Sequence, residues 1–475
     1  MSGNGFAGRR VTVAGLGVSG GSAARALLGL GAEVTLVDAG SGERQREQAE
    51  RLTAAGVEVR LGEADVLPKG TELVVTSPGW RPDHPLFAAA AEAGVEVWGD
   101  VELAWRLRGP DAAPWLAVTG TNGKTTTTGM LASILTAAGL RTAAVGNIGT
   151  PLLDVVLGEP PLDVLAVELS SYQLHWAPSV RAHSAAVLNL APDHLDWHGS
   201  MAAYAADKGR IYEGNEVACV YNVADPATEE LVRAADVVEG CRAVGFTVGP
   251  PAPGQLGVVE GLLVDRAFVE SREVAEELGQ VADVNPPAPH NVANALAAAA
   301  LARAYGVRPD AVRAGLRAFT PDPHRISTVA RVADVEYVDD SKATNTHAAA
   351  ASLGAYPSVV WLAGGLAKGA TFDELVARAA DRLRGVVLIG RDRALIAEAL
   401  ARHAPDVPVV DLERTDTGAM AAAVREAARL AGPGDTVLLA PACASMDMFT
   451  NYTVRGEAFA EAVRRLAAER DENEQ

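Results

Sequence analysis

The twelve residues AVTGTNGKTTTT at 117–128 constrain this chain more than any other stretch. An apolar run, WLAVTG at 115–120, feeds two glycines and a lysine, and an apolar helical stretch follows. Strand, glycine turn and helix in that order leave backbone amides pointing outward, because the first amides of a helix have no acceptor within it. Such a turn holds phosphate oxygens. Gly120 and Gly123 permit it, Lys124 can neutralise β- and γ-phosphate charge, and Thr125 can put a hydroxyl on Mg²⁺. The leading spacing is shorter than in GxxxxGK[ST], so the motif is a P-loop variant.

The flanking sequence repeats the alternation. RRVTVAG at 9–15 passes into GLGVSG at 15–20, a helical stretch follows, and AEVTLVD ends at Asp38, which makes a βαβ unit. Further strands are expected at 57–60, 72–79 and 95–98, before the helix-breaking GPDAAP at 109–114. A second series covers 115–120, 163–170, 184–190 and 217–222. It is followed by a region at 246–289 rich in Gly, Pro and acidic residues, read as a small antiparallel excursion, and by a long alanine-rich helix from Asn291. A third series, from Pro323, offers strands at 335–340, 358–365, 385–390, 407–412 and 435–441. The fold class is α/β in three domains: a Rossmann-like domain over 1–110, a central P-loop-type ATPase domain with a mostly parallel sheet over 111–322, and a Rossmann-like domain over 323–475. The length of 475 residues suits that number at roughly 150 residues per domain.

The first glycine turn is less specific than the second. GxGxxG after a strand, with Asp38 at its usual distance for a ribose contact, suits NAD, but a UDP diphosphate satisfies the same backbone. Glu168 ends the strand DVLAVE, where a carboxylate can meet a phosphate-bound metal. The loop PDHLDWHGS carries Asp193, His194, Asp196 and His198. His194 suits either a metal ligand or a polar substrate contact, and His198 either a surface or a packed position. The His194–His198 spacing matches half of a zinc helix, but HLDWH lacks the HExxH glutamate and no cysteine pair completes it.

Lysine is scarce. Of 41 basic residues only Lys69, Lys124, Lys208, Lys342 and Lys368 are lysine. A chain that uses arginine almost everywhere keeps lysine where a compact primary amine is required, and four of the five sit in motifs. The formal charge of −19 argues against nucleic acid or an anionic membrane as partner. No signal peptide or integral membrane span is expected. Cys219, Cys241 and Cys443 read as reduced, buried thiols of a cytoplasmic protein.

Taken in order, GLGVSG, SPG at 77–79, GTNGKTTTT, GNIG at 146–149, ELSSYQL, DHLDWH, DKGRIY, HNVANALA, PHR, DDSKATN and PACASMDMFTNY resemble the Mur ligases of peptidoglycan synthesis along essentially the whole chain. The ELSSYQL and DSKATN forms resemble the D-glutamate-adding members more than those that add L-alanine, a diamino acid or a dipeptide. The resemblance implies that UDP-N-acetylmuramoyl-L-alanine, ATP and D-glutamate are joined through an acyl phosphate; a monomer is expected. Leu16, Gly17, Val18 and Ser19 would lie near the diphosphate, Asp38 near uracil, Gly79 in the matching loop, and Asn147 against the nucleotide sugar. Gly120, Thr121, Asn122, Gly123, Lys124, Thr125 and Thr126 would cradle ATP, with Asn291 and Asn294 on its adenine side and Arg325 and Asp340 as contacts from the third domain. Thr125 and Glu168 would hold one Mg²⁺, and His194 with Lys208 a second. The resemblance also implies that Mn²⁺ can substitute, that Lys208 carries a CO₂-derived carbamate, and that Lys124, Glu168, His194 and Lys208 form the catalytic set. Lys342, Thr344, Lys368, Ser445 and Tyr452 would receive D-glutamate. Tyr452 stands where the family often has phenylalanine, and Met448 where it is often polar. Folate-type ligation, an NAD oxidoreductase and a nucleotide-gated binding protein are the competing readings. The complete first domain, the GTNGKT turn and the C-terminal motifs weigh against them.

Overall fold

The computed structural model describes residues 5–414, 416 and 418–474, whose strands form three sheets. The first sheet contains β1 (Arg10–Ala14), β2 (Glu33–Asp38), β3 (Glu58–Leu61), β4 (Leu73–Thr76) and β5 (Glu96–Gly99), in the order β3-β2-β1-β4-β5. All its pairs are parallel. Helices on both faces make its central strands near-continuous apolar runs, and β4 is buried at every position.

The second sheet contains β6 (Trp115–Thr119), β7 (Thr142–Gly146), β8 (Val164–Glu168), β9 (Ser184–Val187), β10 (Ala218–Asn222), β11 (Arg242–Phe246), β12 (Gln255–Val259), β13 (Leu262–Asp265) and β14 (Glu276–Gln280), ordered β14-β13-β12-β11-β10-β9-β6-β8-β7. The pairs from β7 to β12 are parallel, while β12-β13 and β13-β14 are antiparallel. The excursion expected at 246–289 is therefore present, as an extension of the main sheet. The third sheet contains β15 (Ser327–Val332), β16 (Val335–Asp339), β17 (Val359–Gly364), β18 (Leu383–Ile389), β19 (Val409–Asp411) and β20 (Thr436–Leu439). Its order is β15-β16-β20-β17-β18-β19, with only the β15 edge antiparallel.

Backbone contacts gather these sheets into two compact units. The first two sheets lie in one, up to Pro287 and again over Asn291–Phe319, and the third in the other. Within the first unit the two sheets are stitched together. Gly99 N donates to Trp176 O at 2.9 Å, Ser22 Oγ to Asp154 Oδ1 at 2.6 Å, and the buried Glu102 carboxylate accepts from Ser179 N at 3.0 Å. In each of these sheets the first strand has later strands on both sides, β2 and β4 flanking β1, β9 and β8 flanking β6. The crevice beyond such a strand's C-terminal end is where open α/β sheets bind ligands. Both glycine turns emerge there.

Candidate active site

β6 is fully buried and ends at Thr119, so the chain leaves the sheet through Gly120 (φ 154°) and Gly123 (φ 84°) before the helix Lys124–Ala137. Asn189 fixes the turn from beside it: its Oδ1 accepts from Asn122 N at 2.9 Å and its Nδ2 donates to Asn122 O at 3.0 Å. Thr121 Oγ1 lies 2.9 Å from Tyr204 Oη. Lys124 Nζ donates to Gly120 O at 2.8 Å and Thr121 O at 2.9 Å, while Lys208 Nζ donates to the same Gly120 O at 2.8 Å. Two lysine side chains thus converge on one carbonyl at the phosphate turn. Thr125 and Thr126 follow on the helix's first turn, both partly exposed.

Gly123 cannot be replaced cheaply. Its φ is left-handed, and a Cβ there would lie 2.4 Å from Asn294 Oδ1. Asn294 Nδ2 donates to Asn291 Oδ1 at 3.2 Å, so the helix Pro289–Ala304 presents these two residues directly beside the turn. Gly123→Ala is expected to weaken ATP binding by about tenfold, since a left-handed alanine costs roughly 1–2 kcal/mol before the clash is counted. Nucleotide titration checks this.

Glu168 closes β8 and is 1% exposed. Its Oε1 accepts from Asn147 Nδ2 at 2.8 Å, whereas Oε2 is buried and meets no hydrogen-bond donor among the described residues. A buried carboxylate oxygen without a donor is costly unless a cation meets it. Lys208 is 2% exposed, on the helix Met201–Gly209. Burial holds its ammonium well below the usual lysine range, the nearby Lys124 charge lowers it further, and Asp193, Glu168 and Asp207 oppose the shift. The shift is towards the neutral amine, the form that can react with CO₂. His194 adopts φ 54° ahead of the short helix Leu195–His198, its ring centroid 4.9 Å from that of Tyr172 and its Nε2 3.5 Å from Asp193 Oδ2. Among the described residues no cluster of three or more His, Cys, Asp or Glu side chains forms a ready cation cage. The donor-free Glu168 Oε2 is the feature here whose chemistry suits a divalent cation.

At the first turn, Leu16 N and Gly40 N donate to the two Asp38 oxygens, each at 2.7 Å. Asp38 therefore organises its own loop, and any ligand contact adds to that. Gly20 must lack a side chain, because a Cβ would fall 1.8 Å from Gly15 O. Gly17 precedes the helix Val18–Gly29, whose Val18 is exposed. Ser19 bonds to Asp100, a buried acid whose carboxyl is held up by desolvation despite bonds from Ser19 and Gln173. Gly79 lies in the loop after β4.

In the second unit two of the remaining candidates meet. Lys342 Nζ stands 3.9 Å over the Tyr452 ring, a cation–π contact. Ser341 Oγ donates to Tyr452 O at 2.7 Å, and the buried Arg455 donates to Ser341 Oγ, Ser341 O and Cys443 O, tying DDSK to PACAS. Burial pulls the Arg455 guanidinium down to about 10. Asp340 is buried, accepts from Ser352 Oγ, and is pushed up to about 6 by desolvation. Arg325 lies 3.9 Å from Asp322. Thr344 is partly exposed, Ser445 is buried, and Lys368 is exposed at φ 51°.

Several residues around the site were not singled out from the sequence: Asn189, Tyr204, Asp207, His175 and Arg455. His198 resolves to its packed alternative. Its side chain is 1% exposed and both ring nitrogens are engaged, by Asp207 and Ser171, so it does not offer zinc a second imidazole beside His194. Of the thiols, Cys219 and Cys443 are buried, but Cys241 is only partly so, at the mouth of β11; all three are free.

Fold and turn together are those of a nucleotide-phosphate-handling α/β enzyme. Family models match three segments: the Mur ligase MurD-like N-terminal domain over residues 9–99, the Mur ligase middle domain over 118–302, and the Mur ligase glutamate ligase domain over 324–443. The chain is 78% identical to the UDP-N-acetylmuramoylalanine–D-glutamate ligase of Streptomyces avermitilis, covering 97% of this chain and 99% of the relative. It is 77% identical to the ligase of that name from Streptomyces coelicolor, covering 98% and 99%. Among solved structures, the MurF ligase of Thermotoga maritima in complex with ADP superposes with a TM-score of 0.57 at 16% identity, covering 92% of this chain and 95% of that one. The chain belongs to the Mur ligase family, in its UDP-N-acetylmuramoylalanine–D-glutamate ligase branch.

Proposed function

We infer that the chain joins D-glutamate to UDP-N-acetylmuramoyl-L-alanine at the expense of ATP, giving ADP, phosphate and UDP-N-acetylmuramoyl-L-alanyl-D-glutamate. The observation that supports this reading is the convergence of Lys124 and Lys208 on the phosphate turn, with a donor-free Glu168 oxygen at the end of the neighbouring strand β8.

A carboxylate is a poor acyl donor because its oxygen is a poor leaving group. An L-alanine carboxylate oxygen attacks the γ-phosphorus of ATP, the bond to the β-phosphate oxygen breaks, and ADP leaves. Lys124 offsets the charge on the transferring phosphoryl group. The D-glutamate amine, deprotonated, attacks the acyl carbon, and the tetrahedral intermediate expels phosphate. Thr125, Glu168, His194 and a carbamate on Lys208 would hold two Mg²⁺ ions, or Mn²⁺, which when bound neutralise phosphate charge. Gly120 to Thr126 cradle the phosphates, with Asn291, Asn294, Arg325 and Asp340 as further nucleotide contacts. Leu16 to Ser19, Asp38, Gly79 and Asn147 take the UDP substrate, and Lys342, Thr344, Lys368, Ser445 and Tyr452 take D-glutamate. The functional domains run over 1–110, 111–322 and 323–475, in a cytoplasmic monomer. Among the described residues no helix is long and apolar enough to cross a membrane.

Lys368→Ala is expected to raise KM for D-glutamate about tenfold, the scale of one exposed charge-assisted contact, with KM for ATP little changed; equal rises in both would assign Lys368 a structural role. The reaction as a whole is tested by incubating protein with UDP-N-acetylmuramoyl-L-alanine, D-glutamate, ATP and Mg²⁺. ADP and the coupled product are expected in equal amounts. Folded protein that forms neither, yet reacts with folate substrates, refutes the reading.

A further inference from the structure

Asp207, adjacent to Lys208, is the hub of a buried array that the mechanism above does not use. Its Oδ2 lies 2.9 Å from His198 Nδ1, and His198 Nε2 lies 2.9 Å from Ser171 Oγ. His175 Nδ1 is 3.0 Å from both Asp207 oxygens. Arg210 Nε is 3.5 Å from Asp207 Oδ1, and Arg210 Nη1 donates to His175 O at 2.6 Å. Burial raises the Asp207 carboxyl, but the bonds and charges of His175, Arg210 and His198 outweigh it and leave the group below its ordinary range. The Tyr172 ring lies parallel to His198, 5.5 Å away.

The array links three short helices: Ser171–His175, Leu195–His198 and Met201–Gly209, of five, four and nine residues. Helices this short do not hold themselves in water. Each is attached to one candidate cation ligand. Glu168 lies three residues before Ser171, His194 immediately precedes Leu195–His198, and Lys208 follows Asp207 directly. The helix of Lys208 is also held to the phosphate turn by Tyr204 through Thr121. Stability alone does not account for the arrangement, because apolar packing joins helices at least as well as a buried ionic network. What a network of fixed hydrogen-bond directions adds is mutual orientation.

We propose that Asp207 is a positioning residue which, with His175, His198 and Ser171, sets the relative placement of Glu168, His194 and Lys208. This rests on the reading of those three as cation ligands. Residues one shell behind metal ligands typically change affinity about 10- to 100-fold when removed. The test is Mn²⁺ binding in the presence of a non-hydrolysable ATP analogue, followed by the paramagnetic resonance of free Mn²⁺, with binding of the UDP substrate as a control for the fold. Asp207→Ala is expected to weaken Mn²⁺ binding about 10- to 100-fold with UDP-substrate affinity unchanged, and Asp207→Asn, which keeps the shape and one acceptor, to fall between. Lys208→Ala separates the two levels. If it binds Mn²⁺ as wild type does, the ligand reading fails and the proposal with it. If it is weakened while Asp207→Ala is not, positioning alone is overturned. Should Asp207→Ala not fold, His175→Ala removes one donor from the more exposed end of the array. A smaller loss of Mn²⁺ affinity then supports the proposal, and wild-type affinity overturns it.

Discussion

Lys208→Arg is expected to lose at least about 100-fold in turnover although it preserves positive charge. If charge were all that position 208 supplied, arginine would serve, as it does at almost every other basic position of the chain. The site asks for something else. Lys208 Nζ is sealed inside the protein, donating to Gly120 O and Thr119 Oγ1, with the Lys124 charge beside it. Both burial and that neighbour disfavour the ammonium and shift the group towards the neutral amine. In the proposed reading such an amine adds CO₂, loses a proton and gives a carbamate, whose oxygens would be hard ligands. A guanidinium stays protonated and is also too bulky for a fully buried slot. Small carboxylates should partly restore Lys208→Ala, because they return oxygen to the vacated volume. Steady-state turnover with and without added carboxylate measures both effects. Wild-type turnover in Lys208→Arg would eliminate the carbamate.

Lys124→Ala is expected to be more damaging, with kcat lowered roughly 10²- to 10³-fold, the scale for losing one preorganised charge-stabilising donor. Lys124 bonds to Gly120 O and Thr121 O, so its ammonium is held over the turn before any nucleotide arrives. A group fixed in advance pays no reorganisation cost when charge gathers on the transferring phosphoryl group. Single-turnover formation of ADP isolates that step. A variant with normal kcat and raised KM for ATP would show instead that Lys124 contributes only uniform binding.

Much of this organisation was readable in the sequence because it is local. Strand, glycine turn and helix are contiguous in GLGVSG and GTNGKT, and Gly20 and Gly123 are glycine for reasons of backbone geometry that spacing conveys. Lysine scarcity pointed to Lys124 and Lys208, which share a carbonyl, but it said nothing of that sharing. Residues whose roles depend on tertiary approach were hidden. Asp207, His175 and His198 are separated by 32 and 9 residues along the chain and meet only once three short helices are packed. Asn189 looked like the tail of a strand, yet it braces the phosphate turn. Asp38 read as a ligand contact, and nothing in its spacing showed that its carboxylate also accepts from two backbone amides of its own loop. Strands β7, β11 and β15 were missed because their sequences, TAAVG, RAVGF and STVARV, are too short and mixed to stand out. The insertion of β20 between β16 and β17 follows no local signal at all.

The central claim is that the L-alanine carboxylate of the UDP substrate is activated by phosphorylation. It is tested most directly by labelling that carboxylate with ¹⁸O and following the reaction to product in the presence of D-glutamate and ATP. Attack of a carboxylate oxygen on the γ-phosphorus, followed by expulsion of phosphate by the amine, must carry one labelled oxygen from each substrate molecule into inorganic phosphate. Mass spectrometry of the released phosphate is expected to find that single ¹⁸O, with one label retained in the new amide. Product formed with unlabelled phosphate would contradict the acyl phosphate and the role assigned to the phosphate turn.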